Sequence, residues 1–164
     1  VYISIMRGTP LMLQLLVVYF GPFFIAGANI SGFRFYAVII GFSLNYAAYF
    51  AEIYRSGIES MPVGQYEAAT VLGYSKSQTF IRIILPQVIK RILPAVTNEI
   101  ITLVKDTSLA FAIAYQEMFT IAKQITASNG NFTALFVAGL FYYIFNFIVA
   151  FVMERFEKKL SYYR

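Results

Sequence analysis

The composition of the chain indicates an integral membrane protein. It has 164 residues, of which 59% are hydrophobic, 18% aromatic and only 13% charged, with a net charge of +5, whereas soluble domains are typically about 45–50% apolar and about 25% charged. The absence of cysteine and histidine excludes disulfides and thiolate nucleophiles, and removes the usual zinc ligands and the usual general base. No glycine-rich phosphate-binding loop of the GxxxxGK(S/T) type occurs. We therefore expect no metal or cofactor in this chain, and any chemical energy to come from a partner.

Four stretches are long and apolar enough to cross a bilayer, since roughly 20 mostly apolar helical residues span about 30 Å of hydrocarbon. Thr9 is expected to cap the first helix, with Pro10 at its first helical position, and Gly21-Pro22 to kink or end it. The sequence therefore predicts an all-α integral membrane protein, one domain over residues 1–164. Its four transmembrane helices are predicted over residues 9–26, 35–55, 92–115 and 133–155.

The basic residues lie mainly on one side of these helices. If the loop over residues 56–91 is cytoplasmic, both ends of the chain are cytoplasmic too. Only Arg34 and Lys123 then lie outside, which is the positive-inside bias of membrane proteins rather than a nucleic-acid surface. Ten basic residues lie inside: Arg7, Arg55, Lys76, Arg82, Lys90, Arg91, Arg155, Lys158, Lys159 and Arg164.

The predicted cytoplasmic loop has the pattern of two short helices separated by a turn. Ser60 is expected to cap the first helix, and Gly73 to supply the left-handed residue that ends it. Ser75 and Gln78 form a capping box for the second helix, which Pro86 is expected to end or bend. The segment is either an amphipathic linker at the membrane surface or a docking helix that seats in a partner's groove.

The loop contains a motif that resembles one from a known family, and the resemblance implies docking. Glu67-Ala68-Ala69, three residues, Gly73, nine residues and then Ile83-x-Leu85-Pro86 resembles the EAA motif of bacterial ABC importer permeases. Other runs resemble the branch of that family for polar amino acids, the histidine/glutamine/arginine permeases, so that the resemblance covers essentially the whole chain. These runs are Arg7-Gly8-Thr9-Pro10-Leu11 with Gln14, Ala51-Glu52-Ile53-Tyr54-Arg55-Ser56-Gly57-Ile58, Asn98, and Lys105-Asp106-Thr107-Ser108-Leu109.

The resemblance implies a set of partners and a place in the cell. Two permease subunits, identical or paralogous, form the pathway in a bacterial inner membrane. Two cytoplasmic ATPases, which carry the ATP and Mg²⁺, dock on the loops, and an extracytoplasmic solute-binding protein delivers the amino acid. Such permeases usually have five crossings, so the fifth is expected before Val1. The residues that would contact the ATPase are Gln65, Tyr66, Glu67, Ala68, Ala69 and Gly73.

The predicted third helix contains three ionisable residues, Glu99, Lys105 and Asp106. Each costs about 2.5–3.5 kcal/mol at a helix centre, so we expect them to face the bundle interior or a water-filled cavity. Glu99 and Asp106 are seven residues apart, which places them on one face with Thr102 between them. Lys105 points about 100° away, alongside Asn98.

Two carboxylates on one inward face favour a cationic ligand, since a neutral one leaves a carboxylate unpaired. We therefore predict a basic amino acid, arginine first, then lysine, ornithine or histidine. Its α-carboxylate would meet a backbone donor, Lys105 or Asn98. The alternative substrates are glutamine or glutamate, in which case Asp106 is a structural partner of Lys105 from the second subunit. The candidate substrate-binding residues are Glu99, Asp106, Thr102, Asn98 and Lys105.

The aromatic residues Phe42, Tyr46 and Tyr49 recur at near-helical spacing in the predicted second helix. This pattern is explained more often by core packing than by a cation–π cage around a ligand. It therefore adds no binding residue to the prediction.

A rival function is a secondary transporter or proton channel that uses Glu99, Lys105 and Asp106 as a relay. That function needs no ATPase and leaves the cytoplasmic loop unexplained, and no inverted repeat supports it. A membrane-embedded enzyme is a weaker alternative, because the chain has no histidine, no cysteine and no paired carboxylates typical of a metal site. An exporter permease is also disfavoured, because exporters lack this loop motif.

Overall fold

The computed structural model describes residues 1–160, which form helices and no strands. Arg164, counted above among the cytoplasmic charges, lies outside the described residues. The all-α prediction is confirmed. A π-helical turn at Phe80–Ile84 and a 3₁₀ helix at Thr107–Ile113 flank α6. The α-helices are α1 Tyr2–Gly8, α2 Leu11–Ala26, α3 Arg34–Glu59, α4 Val63–Val71, α5 Lys76–Thr79, α6 Leu85–Asp106, α7 Met118–Asn129 and α8 Thr133–Leu160.

Two helices among residues 1–160 are long and apolar enough to cross a membrane, Arg34–Glu59 and Thr133–Lys159. The chain bends by 110° between α1 and α2, and these two helices count as a third span if the bent pair is one crossing. α6 corresponds to the predicted third crossing but does not qualify by apolarity, because charged residues occur along it. Four crossings therefore remain a prediction.

The first predicted helix is wrong at its start. Helix α2 begins at Leu11 with Pro10 as its cap, and the Thr9 hydroxyl donates to the carbonyl of Ile5 at 2.8 Å instead. The helix continues through Pro22 to Ala26. Pro22 lies near the carboxyl end, where the lost N–H removes one hydrogen bond and the helix persists.

The third predicted helix begins earlier than expected and ends sooner. Pro86 does not end a helix. It is the second residue of α6 and directly follows the π-helical turn Phe80–Ile84, so the irregular hydrogen bonding that its missing N–H requires falls at this turn. α5, the π turn and α6 thus form one continuous helical segment up to Asp106. After the 3₁₀ helix, Ala114 adopts a left-handed conformation with φ of 53°. The chain then enters α7, which was not predicted because its residues are too polar for a membrane span.

The second helix also runs further than predicted, to Glu59. Its last turns carry Glu52, Arg55 and Glu59, which pair at i, i+3 and i, i+4 spacing and support a helix beyond the apolar region.

Two apolar clusters position the elements around the site. The larger joins α2, α3 and the 3₁₀ helix, and the smaller joins the start of α6 to the segment after α3. The smaller cluster contains residues from both ends of the loop, because one of its members precedes α4 and another follows α5. The two ends of the loop are therefore packed together. The larger cluster is formed by Leu11, Leu15, Tyr19, Ala37, Tyr46 and Ile113, and the smaller by Met61, Ile84 and Val88.

Candidate functional site

The bend between α1 and α2 is held by side-chain amides. Pro10 has no N–H, so the carbonyl of Met6 lacks its usual helical donor. The Nε2 of Gln14 and the Nδ2 of Asn45 donate to that carbonyl instead, at 2.9 and 3.2 Å. Asn45 is buried and also donates to Oε1 of Gln14 at 3.0 Å. The bend is therefore fixed against α3, and the end of α1 that carries Arg7 is fixed with it.

A cleft of about 490 Å³ opens between the bend, α3 and α6. Glu99, Thr102 and Asp106 all line it, as their spacing on one helix face predicts. Asn98 and Lys105 do not line it, because they lie on the other side of α6 and are exposed. The structure thus brings together three of the five predicted substrate residues.

The structure adds side chains that the sequence did not assign to this site, among them Arg7, Asn45, Tyr46 and Tyr49. The hydroxyl of Tyr46 donates to Oδ2 of Asp106 at 2.9 Å. The guanidinium carbon of Arg7 lies 5.5 Å from the centre of the Tyr49 ring, which is within cation–π range. Core packing is still right for Tyr46, which belongs to the larger apolar cluster and stacks on Phe42.

Arg7, one of the predicted cytoplasmic cations, lines the cleft that holds Glu99 and Asp106. The reason is the bend at Pro10, which folds α1 back against α3. The signal in the sequence was Pro10 three residues after Arg7, followed by Gln14. The side of the membrane on which Arg7 lies stays a prediction.

An ion-pair network adjoins the cleft. The Nη1 of Arg7 lies 3.6 Å from Oε1 of Glu52. The same carboxylate accepts hydrogen bonds from Arg55, whose Nη1 also reaches Oε2 of Glu59 at 2.6 Å. The cleft therefore contains one guanidinium and two carboxylates, with further ion pairs beside it.

The predicted loop has the expected turn but a different start. Gly73 has φ of 78° after α4, and Ser75 and Gln78 form both hydrogen bonds of a capping box; both predictions are confirmed. Ser60 does not cap α4, because Pro62 takes that position, and the Ser60 hydroxyl donates to the carbonyl of Gly57 at 2.7 Å.

The loop presents an apolar surface to its surroundings. Glu67 and Ala68 are exposed, whereas Ala69 is only 1% exposed and packs against its own chain. Val71 and Leu72, which the motif did not single out, are 87% and 72% exposed. Of the other motif positions, Tyr66 and Gly73 are exposed and Gln65 is partly buried.

The chain is similar to known transport proteins over nearly its whole length. Residues 1–162 match the family model described as the binding-protein-dependent transport system inner membrane component. The chain belongs to this family. It is 41% identical to the arginine transport system permease protein ArtQ of Bacillus subtilis, covering 98% of this chain and 73% of ArtQ. It is 39% identical to the L-cystine transport system permease protein TcyB of the same organism, covering 99% of this chain and 69% of TcyB.

The fold of the permease is also that of a solved transporter. A crystal structure of an amino acid ABC transporter with histidines superposes with a TM-score of 0.85 at 33% identity, covering 96% of this chain and 73% of that one. The prediction of a non-catalytic permease subunit of an ABC importer for amino acids is confirmed. The interpretations as a secondary transporter, channel or enzyme are therefore wrong.

Proposed function

We propose that this permease carries a cationic amino acid, arginine first, then lysine, ornithine or histidine. The observation that supports it is the convergence of Glu99, Asp106 and Arg7 on one cleft. An amino acid with a basic side chain offers two cationic groups and one carboxylate, so each charge of the ligand has an opposite charge in the cleft.

Each group has a specific task in this proposal. Arg7 binds the α-carboxylate, because a guanidinium presents paired N–H donors to both oxygens; this replaces Lys105 and Asn98, which lie off the cleft. Asp106 is held by the Tyr46 hydroxyl and receives the α-amino group. Glu99 receives the cationic head of the ligand's side chain. Thr102, one turn further along α6, lines the cleft beside it.

The alternative substrates are glutamine or glutamate. Relatives of similar identity have names that refer to different substrates, arginine for ArtQ and cystine for TcyB, so similarity to ArtQ does not by itself select a basic amino acid. A neutral side chain, however, brings no positive charge to the partly buried Glu99 carboxylate, which is unfavourable.

The test of the substrate is ATP-driven uptake into proteoliposomes that contain the permease and its ATPase. The panel is arginine, lysine, histidine, glutamine and glutamate. We expect wild type to prefer arginine, and Glu99→Gln to lose that preference by about tenfold or more, because the cationic side chain of the ligand then loses its opposite charge. Glu157→Gln, which neutralises an exposed carboxylate on α8, is the matched control. Uptake of glutamine that is indifferent to Glu99→Gln would overturn the assignment.

The loop is proposed to couple this transport to ATP hydrolysis. Tyr66, Glu67, Ala68 and Gly73 are exposed for a docking contact, to which Val71 and Leu72 add apolar surface. Gln65 and Ala69 lie on the face of α4 that packs against the rest of the chain. Ala69 is buried there, and Oε1 of Gln65 accepts a 3.3 Å hydrogen bond from Gln87. ATP and Mg²⁺ would be bound by the ATPase alone. The complex would contain two permease subunits, two ATPases and a solute-binding protein outside the membrane.

A further inference from the structure

Glu52 lies outside the cleft but reaches one of its side chains. Glu52 is one turn from Tyr49 on α3. The Arg7 guanidinium lies over the Tyr49 ring, and its Nη1 is 3.6 Å from Oε1 of Glu52. The two side chains are 43% and 27% exposed. Arg7 therefore sits between the cleft on one side and a carboxylate of the protein on the other.

Glu52 has a second and tighter partner. Nε of Arg55 donates to its Oε2 at 3.2 Å, and Nη2 of Arg55 donates to its Oε1. The Arg7 contact, at 3.6 Å, is too long for a hydrogen bond. If Arg7 moves away, Glu52 still has Arg55, so no carboxylate is left unpaired. The exchange of Arg7 to another carboxylate is therefore inexpensive.

We propose that Glu52 is the counter-ion of Arg7 in the absence of a ligand, and that it competes with the substrate's α-carboxylate for this guanidinium. The proposal rests on the function proposed above, in which Arg7 binds that carboxylate. The side chain of Glu52 resembles the ligand group chemically, and a guanidinium that grips one carboxylate through both oxygens has fewer donors for a second. Glu52 is thus a positioning residue that lowers affinity and speeds release.

The surroundings of Glu52 give this exchange a direction. Glu52 also lines a second crevice of about 380 Å³, together with Ser60 and Arg91 at the ends of the coupling loop. Pairing with Glu52 holds the guanidinium at the side of the cleft that faces this crevice. The substrate carboxylate then loses the Arg7 guanidinium as its partner, and Arg7 pairs with Glu52 at the end of the cleft nearest the loop.

The test compares two neutralised carboxylates that share one arginine. Glu59→Gln is the matched control for Glu52→Gln, because Glu59 also pairs with Arg55 but has no contact with Arg7 in the ion pairs above. Binding of radiolabelled L-arginine and of L-argininamide, which lacks the carboxylate, is measured by equilibrium dialysis on the purified permease–ATPase complex. We expect Glu52→Gln to bind L-arginine roughly two- to fivefold more tightly, the range of a partly exposed ion pair.

The same variant is expected to leave L-argininamide binding unchanged and to lower KM and kcat of uptake together, whereas Glu59→Gln changes neither ligand. Glu52→Asp, which shortens the reach to Arg7, is expected to act in the same direction and serves if Glu52→Gln does not insert. Equal effects of Glu52→Gln and Glu59→Gln, or tighter binding of the amide as well, would overturn the proposal alone. A wild-type complex that binds no L-arginine would instead overturn the proposed function, and this inference with it.

Discussion

Pro10 decides where Arg7 lies, because it removes the N–H that would have continued one helix from α1 into α2. The carbonyl of Met6 that is freed by this loss receives donors from Gln14 and Asn45. One of these donors comes from α2 and the other from α3, so the bend is tied to both helices. A substitution at either amide is therefore expected to change the cleft, since Asn45 lines it and Gln14 helps to hold the bend beside it.

Asn45→Ala is expected to lower the free energy of unfolding by about 0.5–1.5 kcal/mol, the usual contribution of a hydrogen bond, and to weaken arginine binding by more than this loss of stability explains. The physical reason is that Asn45 ties the segment preceding Arg7 to α3. Thermal unfolding in detergent and equilibrium dialysis measure the two effects. Ser43→Ala, which removes an exposed hydroxyl from the same helix, is the control. Normal arginine binding by Asn45→Ala would show that the bend is held without it.

At the scale of elements, α3 and α6 cross closely beside the loop. A Cβ added at Gly57 would overlap the Ile92 side chain and come within 3.2 Å of Cγ1 of Val88. Both helices continue from this crossing into the cleft, since α3 carries Tyr49 and α6 carries Glu99. The crossing therefore sets the spacing of the two walls of the cleft.

Gly57→Ala is expected to destabilise the permease by about 1–3 kcal/mol, the usual cost of overpacking a close contact. Gly139→Ala on α8, where nothing lies within 4 Å of the added Cβ, is expected to be neutral or slightly stabilising, since alanine is the better helix former. The unfolding temperature of both variants in detergent measures the difference. A Gly57→Ala variant as stable as Gly139→Ala would contradict the close crossing.

At the scale of the whole molecule, two helices connect the loop that carries α4 to the cleft. α3 ends at the loop, and α6 begins there through the π turn and α5. The cluster of Met61, Ile84 and Val88 fastens the two ends together. A partner docked on α4 would therefore be connected to the cleft through the short turns at residues 60–62 and 72–75 and then through α3 and α6.

Glu67→Lys is expected to abolish copurification of the ATPase with the permease, because it reverses the one acidic charge exposed on α4. Membrane insertion is expected to be unchanged, as the side chain is exposed. The measurement is the amount of ATPase recovered with tagged permease from detergent extracts. Glu157→Lys, the same charge reversal on the exposed end of α8, controls for the change in net charge. Undiminished recovery of the ATPase with Glu67→Lys would contradict the docking role.

The sequence alone determined the class of the protein and part of the site. Composition predicted an all-α membrane protein, the spacing from Glu67 to Pro86 identified the importer family, and the seven-residue interval of Glu99 and Asp106 predicted a shared face. These predictions succeeded because composition, motif spacing and helical periodicity are properties of the chain over short distances. The capping box at Ser75 and the left-handed Gly73 succeeded for the same reason.

The tertiary structure decided which further residues join that face. Arg7 and Asp106 are 99 positions apart, and only the packing of the bent α1–α2 pair and α6 against α3 brings both to one cleft. The burial of Ala69 and the exposure of Val71 and Leu72 likewise depend on how α4 rests on neighbouring elements. Contacts between distant segments follow from how helices pack, and helical periodicity within one segment carries no information about which segments meet.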